Sequence, residues 1–169
     1  MRIPKEYLND FNSQTDDIIE TANRIAVVYT EELDECIEEV NDLLKNKDDL
    51  TIDQLNYYIS IIPIYLYRLT DTIQDLGVKT DAAKMQRKNQ YNKAYQEQEH
   101  GTVPQKTSVA QQSCEDEQMI EDIYVRVYKK CENKIEMATM LHGSLKKILQ
   151  WRVTELEVTR TNTFNSNIL

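Results

Sequence analysis

The sequence predicts an all-α protein, an elongated helical bundle built on a long antiparallel helical hairpin and assembled as an oligomer. Three observations carry this reading. Helix breakers are scarce, with 3 Gly and 3 Pro in 169 residues. Apolar residues between them recur at spacings of three and four, the period of one helical face. Hydrophobic residues make up 40% of the chain and charged residues 29%, a balance suited to amphipathic helices around a shared core. A mass of 19.9 kDa fits one helical domain over residues 1–169.

The first helix is predicted from about 16 to 46. Thr15-Asp16-Asp17 places capping and acidic residues at its start, and Ile18, Ala22, Ile25, Tyr29, Leu33, Cys36, Val40 and Leu43 form its seam. Asn46 to Asp49 reads as a turn. Thr51, with Gln54 three residues later, forms a capping box that starts a second helix over 51–62. Pro63 removes a backbone donor and disfavours helical geometry at Ile62, so a break is expected there and a third helix over 63–97. Its seam is aliphatic through Leu66, Leu69, Ile73 and Leu76, then small and polar through Thr80, Ala83, Arg87, Gln90 and Ala94. Residues 99–113 lack periodicity and read as a mobile loop. Ser113 and Asp116 are expected to cap a last helix over about 115–160, seamed by Ile120, Tyr124, Val127, Cys131, Ile135, Ala138, His142, Leu145, Leu149, Arg152 and Leu156. Residues 161–169 read as a frayed polar tail.

Several function classes fall away. The start lacks a signal peptide's apolar run, and the stretch from Ile59 to Leu66, interrupted by Ser60 and Pro63, is too short to span a bilayer. Cys36, Cys114 and Cys131 have no CxxC spacing and read as free thiols of a reducing cytoplasm. His142, on an apolar stripe, reads as a packed imidazole, and no metal or other cofactor is expected. Glycine-rich phosphate loops, zinc-protease motifs and nucleophile–histidine constellations are absent from the sequence, which argues against an enzyme.

Charge placement is more informative. Net charge is -9, yet residues 1–76 carry 6 basic and 17 acidic groups, while residues 77–169 carry 14 and 12. Glu31, Glu32, Glu35, Glu38, Glu39 and Asp42 crowd the first helix and form a candidate partner-binding face, or simply a solvated one. Lys84, Arg87, Lys88 and Lys93 interleave with Tyr91 and Tyr95, combining cations for phosphates with aromatic faces for bases. Tyrosines four apart also pack on neighbouring helices. In the expected hairpin, residues equidistant from the loop become neighbours, which brings Arg126, Lys129, Lys130 and Lys134 to the same basic tip. Tyr58, Ile62, Tyr65 and Leu66 belong to a segment apolar all round, which two helices alone cannot cover, and with Trp151 they are candidates for an oligomer interface.

The segment Leu145-Lys146-Lys147-Ile148-Leu149-Gln150-Trp151-Arg152 resembles the end of the long helix in phage recombination mediators of the UvsY type, with Ile148 to Arg152 nearly literal. The likeness extends back through the basic helix around Lys84 to Tyr95, covering residues 64–156. This chain carries Thr154 where that family usually shows an aromatic residue, and then continues to Leu169. The resemblance implies a non-enzymatic homo-oligomeric helper, ring-like, without cofactors. It would bind single-stranded DNA and assist a recombinase in displacing single-strand-binding protein, in the host cytoplasm if phage-encoded. It carries over Lys84, Arg87, Lys88, Lys93, Arg126, Lys129 and Lys130 as phosphate contacts, and Trp151 with Arg152 as part of the closing helix. Two other readings compete. One is an acidic interaction protein that blocks a basic partner by mimicking DNA. The other is a phage structural or scaffold protein.

Overall fold

In a computed structural model the backbone is described for residues 5–45 and 50–166, and side chains for 16–45 and 50–159. The chain is all-α: α1 is Lys5–Lys45, α2 Ile52–Glu97, α3 Val103–Gln112 and α4 Glu115–Ser166, with no strand among the described residues. Helix α1 therefore starts well before Thr15, which lies in its interior and does not cap it. The expected turn at 46–49 lies outside the described residues, as do residues 167–169; residues 161–166, expected to be a frayed tail, instead continue α4.

The start of α2 follows its sequence signature. The Thr51 amide donates to Gln54 Oε1 (2.9 Å) and the Gln54 amide donates to Thr51 Oγ1 (3.2 Å), a reciprocal capping box. The break expected at Pro63 is absent, because α2 runs unbroken through it. Proline costs a helix about 3 kcal/mol, partly by leaving the carbonyl four residues earlier without its donor. Here that carbonyl belongs to Ile59, and His142 Nε2 on α4 donates to it at 3.1 Å. Burial of Ile62 and Leu69 on either side of Pro63 offsets the remaining cost.

Residues 103–112, expected to be a loop, are helical. Gly101, at φ 129°, supplies the left-handed residue of the preceding turn. Pro104 suits the first turn of α3, and the Thr102 amide donates to Gln105 Oε1 (2.9 Å), repeating the signature that opens α2. Ser113 does not cap α4: it closes α3, donating from Oγ to the Ala110 carbonyl (2.9 Å).

The chain divides into two compact units. One comprises residues up to Tyr29 together with Asp71–Glu132; the other comprises Thr30–Thr70 and residues from Asn133 onward. The second unit holds a large-residue core of Cys36, Val40, Leu50, Leu55, Tyr58, Ile62 and Leu145, against which Tyr65, Leu66, Leu141 and Ile148 pack. Three polar ties cross this unit. Thr30, almost fully buried, donates to Asp34 Oδ2 (2.7 Å), whose other oxygen pairs with Lys134 on α4. Arg152 donates to the Leu50 carbonyl. The third is the bond from His142 to the Ile59 carbonyl.

The first unit buries smaller side chains: Ala22 and Ala26 from α1, Ala83 and Ala94 from α2, Ala110 from α3, Cys114 from the turn after α3, and Val127 and Cys131 from α4, with Leu76 the largest. Small seam residues let helices approach closely but contribute less apolar area each.

Candidate nucleic-acid interface and charged faces

The basic segment of α2 lies in the first unit, and its neighbours there differ from the expected ones. Gly77 faces Tyr128, where an added Cβ would lie 3.7 Å from the ring. Arg87 Nε lies 2.6 Å from Glu121 Oε2, both atoms buried, and its Nη1 donates to Gln118 Oε1 (2.7 Å). Gln90 approaches the Ser113 carbonyl at 3.5 Å. As numbers rise on α2 they fall on α4. The register nevertheless sets Arg87 against Gln118 and Glu121, not against Arg126, Lys129 and Lys130 as equidistance from a loop at 99–113 would require. The cause is α3. Because residues 103–112 are helical and the turn precedes them, every partner on α4 shifts toward lower numbers. The single basic tip is therefore not formed, and Lys134 belongs to the other unit, paired with Asp34.

What the first unit does form is an open cleft. Lys84, Arg87, Lys88 and Tyr91 line its α2 wall. Ser108, Gln111 and Gln112 of α3 and Glu115, Asp116, Gln118, Met119 and Asp122 of α4 face them, with Cys114 and Ile18 completing the lining. Lys84 and Lys88, one turn apart, are exposed, whereas Arg87 is committed to Glu121. Tyr91 and Tyr95 are half-buried and lie nearly parallel, with centroids 6.2 Å apart and planes 18° apart. Lys93 is exposed, 4.0 Å from Glu97. Arg126 and Lys129 are exposed and Lys130 half-exposed, outside the cleft. The sequence alone does not single out the α4 carboxylates of the cleft or the α3 amides. In the sequence, acidic residues there match the common preference of a helix N-terminus; only the fold sets them in one cleft with Lys84 and Lys88.

The acidic residues of α1 that form the candidate face, Glu31, Glu32, Glu35, Glu38, Glu39 and Asp42, belong to the second unit. Glu31, Glu35, Glu38 and Asp42 fall on one exposed line at spacings of four, three and four. Glu32 pairs with Arg68 (2.7 Å) and Asp42 approaches Lys45 (3.5 Å), while Glu39 lies 3.5 Å from the Tyr58 hydroxyl. Glu31, Glu35 and Glu38 form no ion pair among the described residues. Burial and then Glu39 push the Cys36 thiol above its ordinary range, and the same two causes raise Tyr58.

The candidates for self-association are divided. Tyr58 and Ile62 lie inside the chain's own core because α1 supplies the cover that two helices lacked. Tyr65 and Leu66 pack at its edge. Trp151 is 65% exposed; Tyr57 and Tyr67, which flank the apolar run from Ile59 to Leu66, are exposed as well, and so are Met137 and Met140, which periodicity does not mark.

Among the described residues, no helix is long and apolar enough to cross a membrane, and no cluster of three or more His, Cys, Asp or Glu could hold a metal ion. No protein-family model, no curated protein and no solved structure matches the chain.

Proposed function

We propose that this chain is a non-enzymatic binding protein that takes single-stranded DNA in the cleft of its first unit and serves as a recombination mediator, helping a recombinase displace single-strand-binding protein. The observation that carries the reading is the gathering of Lys84, Lys88 and Tyr91 on one wall of an open cleft. The DNA-binding part rests on that wall; the mediator role rests on the resemblance over residues 64–156. Exposed cations one turn apart suit successive phosphates, and an aromatic face suits a base. Arg87, neutralised by Glu121, holds the wall in place and contributes little net charge. Homo-oligomerisation belongs to the same reading, with Trp151 as the anchor in place of Tyr58 and Ile62.

Charge reversal at Lys84 and Lys88 tests it. Anisotropy with a labelled single strand should show weaker binding, and a salt slope reduced by at least about 1.4, roughly 0.7 for each phosphate that is no longer neutralised. Unchanged affinity and slope would sink the assignment. A second reading is favoured by Glu31, Glu35 and Glu38, which stand exposed in line with no ion pair among the described residues: an acidic face that binds a basic partner protein. Complete blindness of the wild-type chain to DNA is the outcome that would favour it.

A further inference from the structure

We infer that the cleft of the first unit orients the strand it binds and selects bases by their exocyclic amines, disfavouring thymine; this rests on the single-strand reading above. The two walls are chemically opposite. The α2 wall carries Lys84 and Lys88, exposed and available to phosphates. The facing wall carries Glu115 and Asp116, also exposed, with Gln111 and Gln112 beside them.

A carboxylate accepts hydrogen bonds and donates none at neutral pH, so it repels a phosphate and attracts an N–H. A strand lying between such walls lowers its energy by turning its backbone toward Lys84 and Lys88 and its base edges toward Glu115 and Asp116. The bases then meet acceptors. Cytosine offers its N4 amine, and adenine its N6 amine, to a carboxylate or to a glutamine carbonyl. Cytosine's two acceptors, N3 and O2, lie to one side of its amine, which a carboxylate can reach without meeting them, whereas thymine has no exocyclic amine and its single ring N–H is flanked on both sides by carbonyl oxygens that a carboxylate repels. The glutamines satisfy either pattern by rotating their amides and do not discriminate. Discrimination therefore falls to the carboxylates. A basic groove lined by lysines alone would lack it, since stacking and phosphate contacts tolerate every base.

The test compares oligo-dC with oligo-dT of about 12 nucleotides, within the usual site size for single strands, by competition against one labelled probe. Wild-type protein should bind oligo-dC roughly tenfold more tightly, the scale of one good base-edge contact. Glu115→Gln with Asp116→Asn should tighten both oligomers, because negative charge is removed, yet tighten oligo-dT more and so close the gap. Asp122→Asn, lower in the same cleft, provides a second variant if the double change disturbs the α4 start. Equal affinities in wild type, a preference for oligo-dT, or a dC:dT ratio unchanged in both variants would overturn the inference and leave single-strand binding standing. Failure of both oligomers to bind would overturn the single-strand reading itself, and the base selection with it.

Discussion

His142 shows how one side chain can decide whether a helix survives its own proline. Its Nε2 donates to the Ile59 carbonyl, the acceptor that Pro63 leaves without a backbone donor. The donation requires the proton on Nε2, since a carbonyl only accepts. Removing the imidazole strands that carbonyl, at a cost of about 1–3 kcal/mol. His142→Ala should lower urea-derived stability by that amount. The same change beside Pro63→Ala should cost distinctly less, because the alanine amide restores the helical bond. Additive losses in this double-mutant cycle would show that His142 acts only through packing. In the same unit Thr30, Asp34 and Lys134 follow similar logic, a buried hydroxyl and a partly buried ion pair fixing α1 against α4 at one register.

At the level of elements, the two units differ in what their seams bury. In the second unit, Leu145 is fully buried among Cys36, Val40, Leu55 and Ile62. Leu145→Ala should cost roughly 2–5 kcal/mol. Ala83→Gly in the first unit, whose alanine methyl is nearly all it buries, should cost nearer 1 kcal/mol, mostly helix propensity. Equal losses in thermal or urea unfolding would contradict this division. Most of each seam is legible in the sequence: Ala22, Leu33, Cys36, Val40, Ala83, Ala94, Val127, Cys131, Ala138 and Leu145 are all buried where periodicity puts them, whereas Ile120 and Leu156, toward the two ends of the α4 seam, are exposed. Pro63 misled because its remedy sits 83 residues beyond Ile59 on another helix, and no local pattern reports it. Helix α3 was missed although Thr102 and Gln105 repeat the capping signature of Thr51 and Gln54; its weak apolar content hid it. The ten residues that α3 takes up shift the α4 register, so Arg87 meets Glu121 and not the basic residues further along α4. For the cleft, the basic wall was visible in the chain and the acidic wall was not, because only the fold reveals that Arg87 meets Glu121 and that Glu115 faces Lys84's cleft.

At the scale of the whole molecule, charge and exposed apolar surface point the same way. Residues 1–76 are strongly acidic and residues 77–169 slightly basic, so the chain offers two electrostatic characters to its surroundings. Trp151, largely exposed near the end of the seam on α4, is the kind of rigid aromatic anchor that contacts between subunits favour. Light scattering should therefore give a mass above 19.9 kDa, falling toward it in Trp151→Ser. A monomeric wild type would refute the proposed assembly. The polar ties of the second unit join residues 83, 100 and 102 positions apart, through His142, Lys134 and Arg152. During synthesis the early half of that unit must wait for the late half of α4 to leave the ribosome, holding Val40, Leu55 and Ile62 uncovered meanwhile. Closing loops over such separations costs chain entropy that the contacts of Leu145 must offset, so the core of this unit is completed only when the late half of α4 docks.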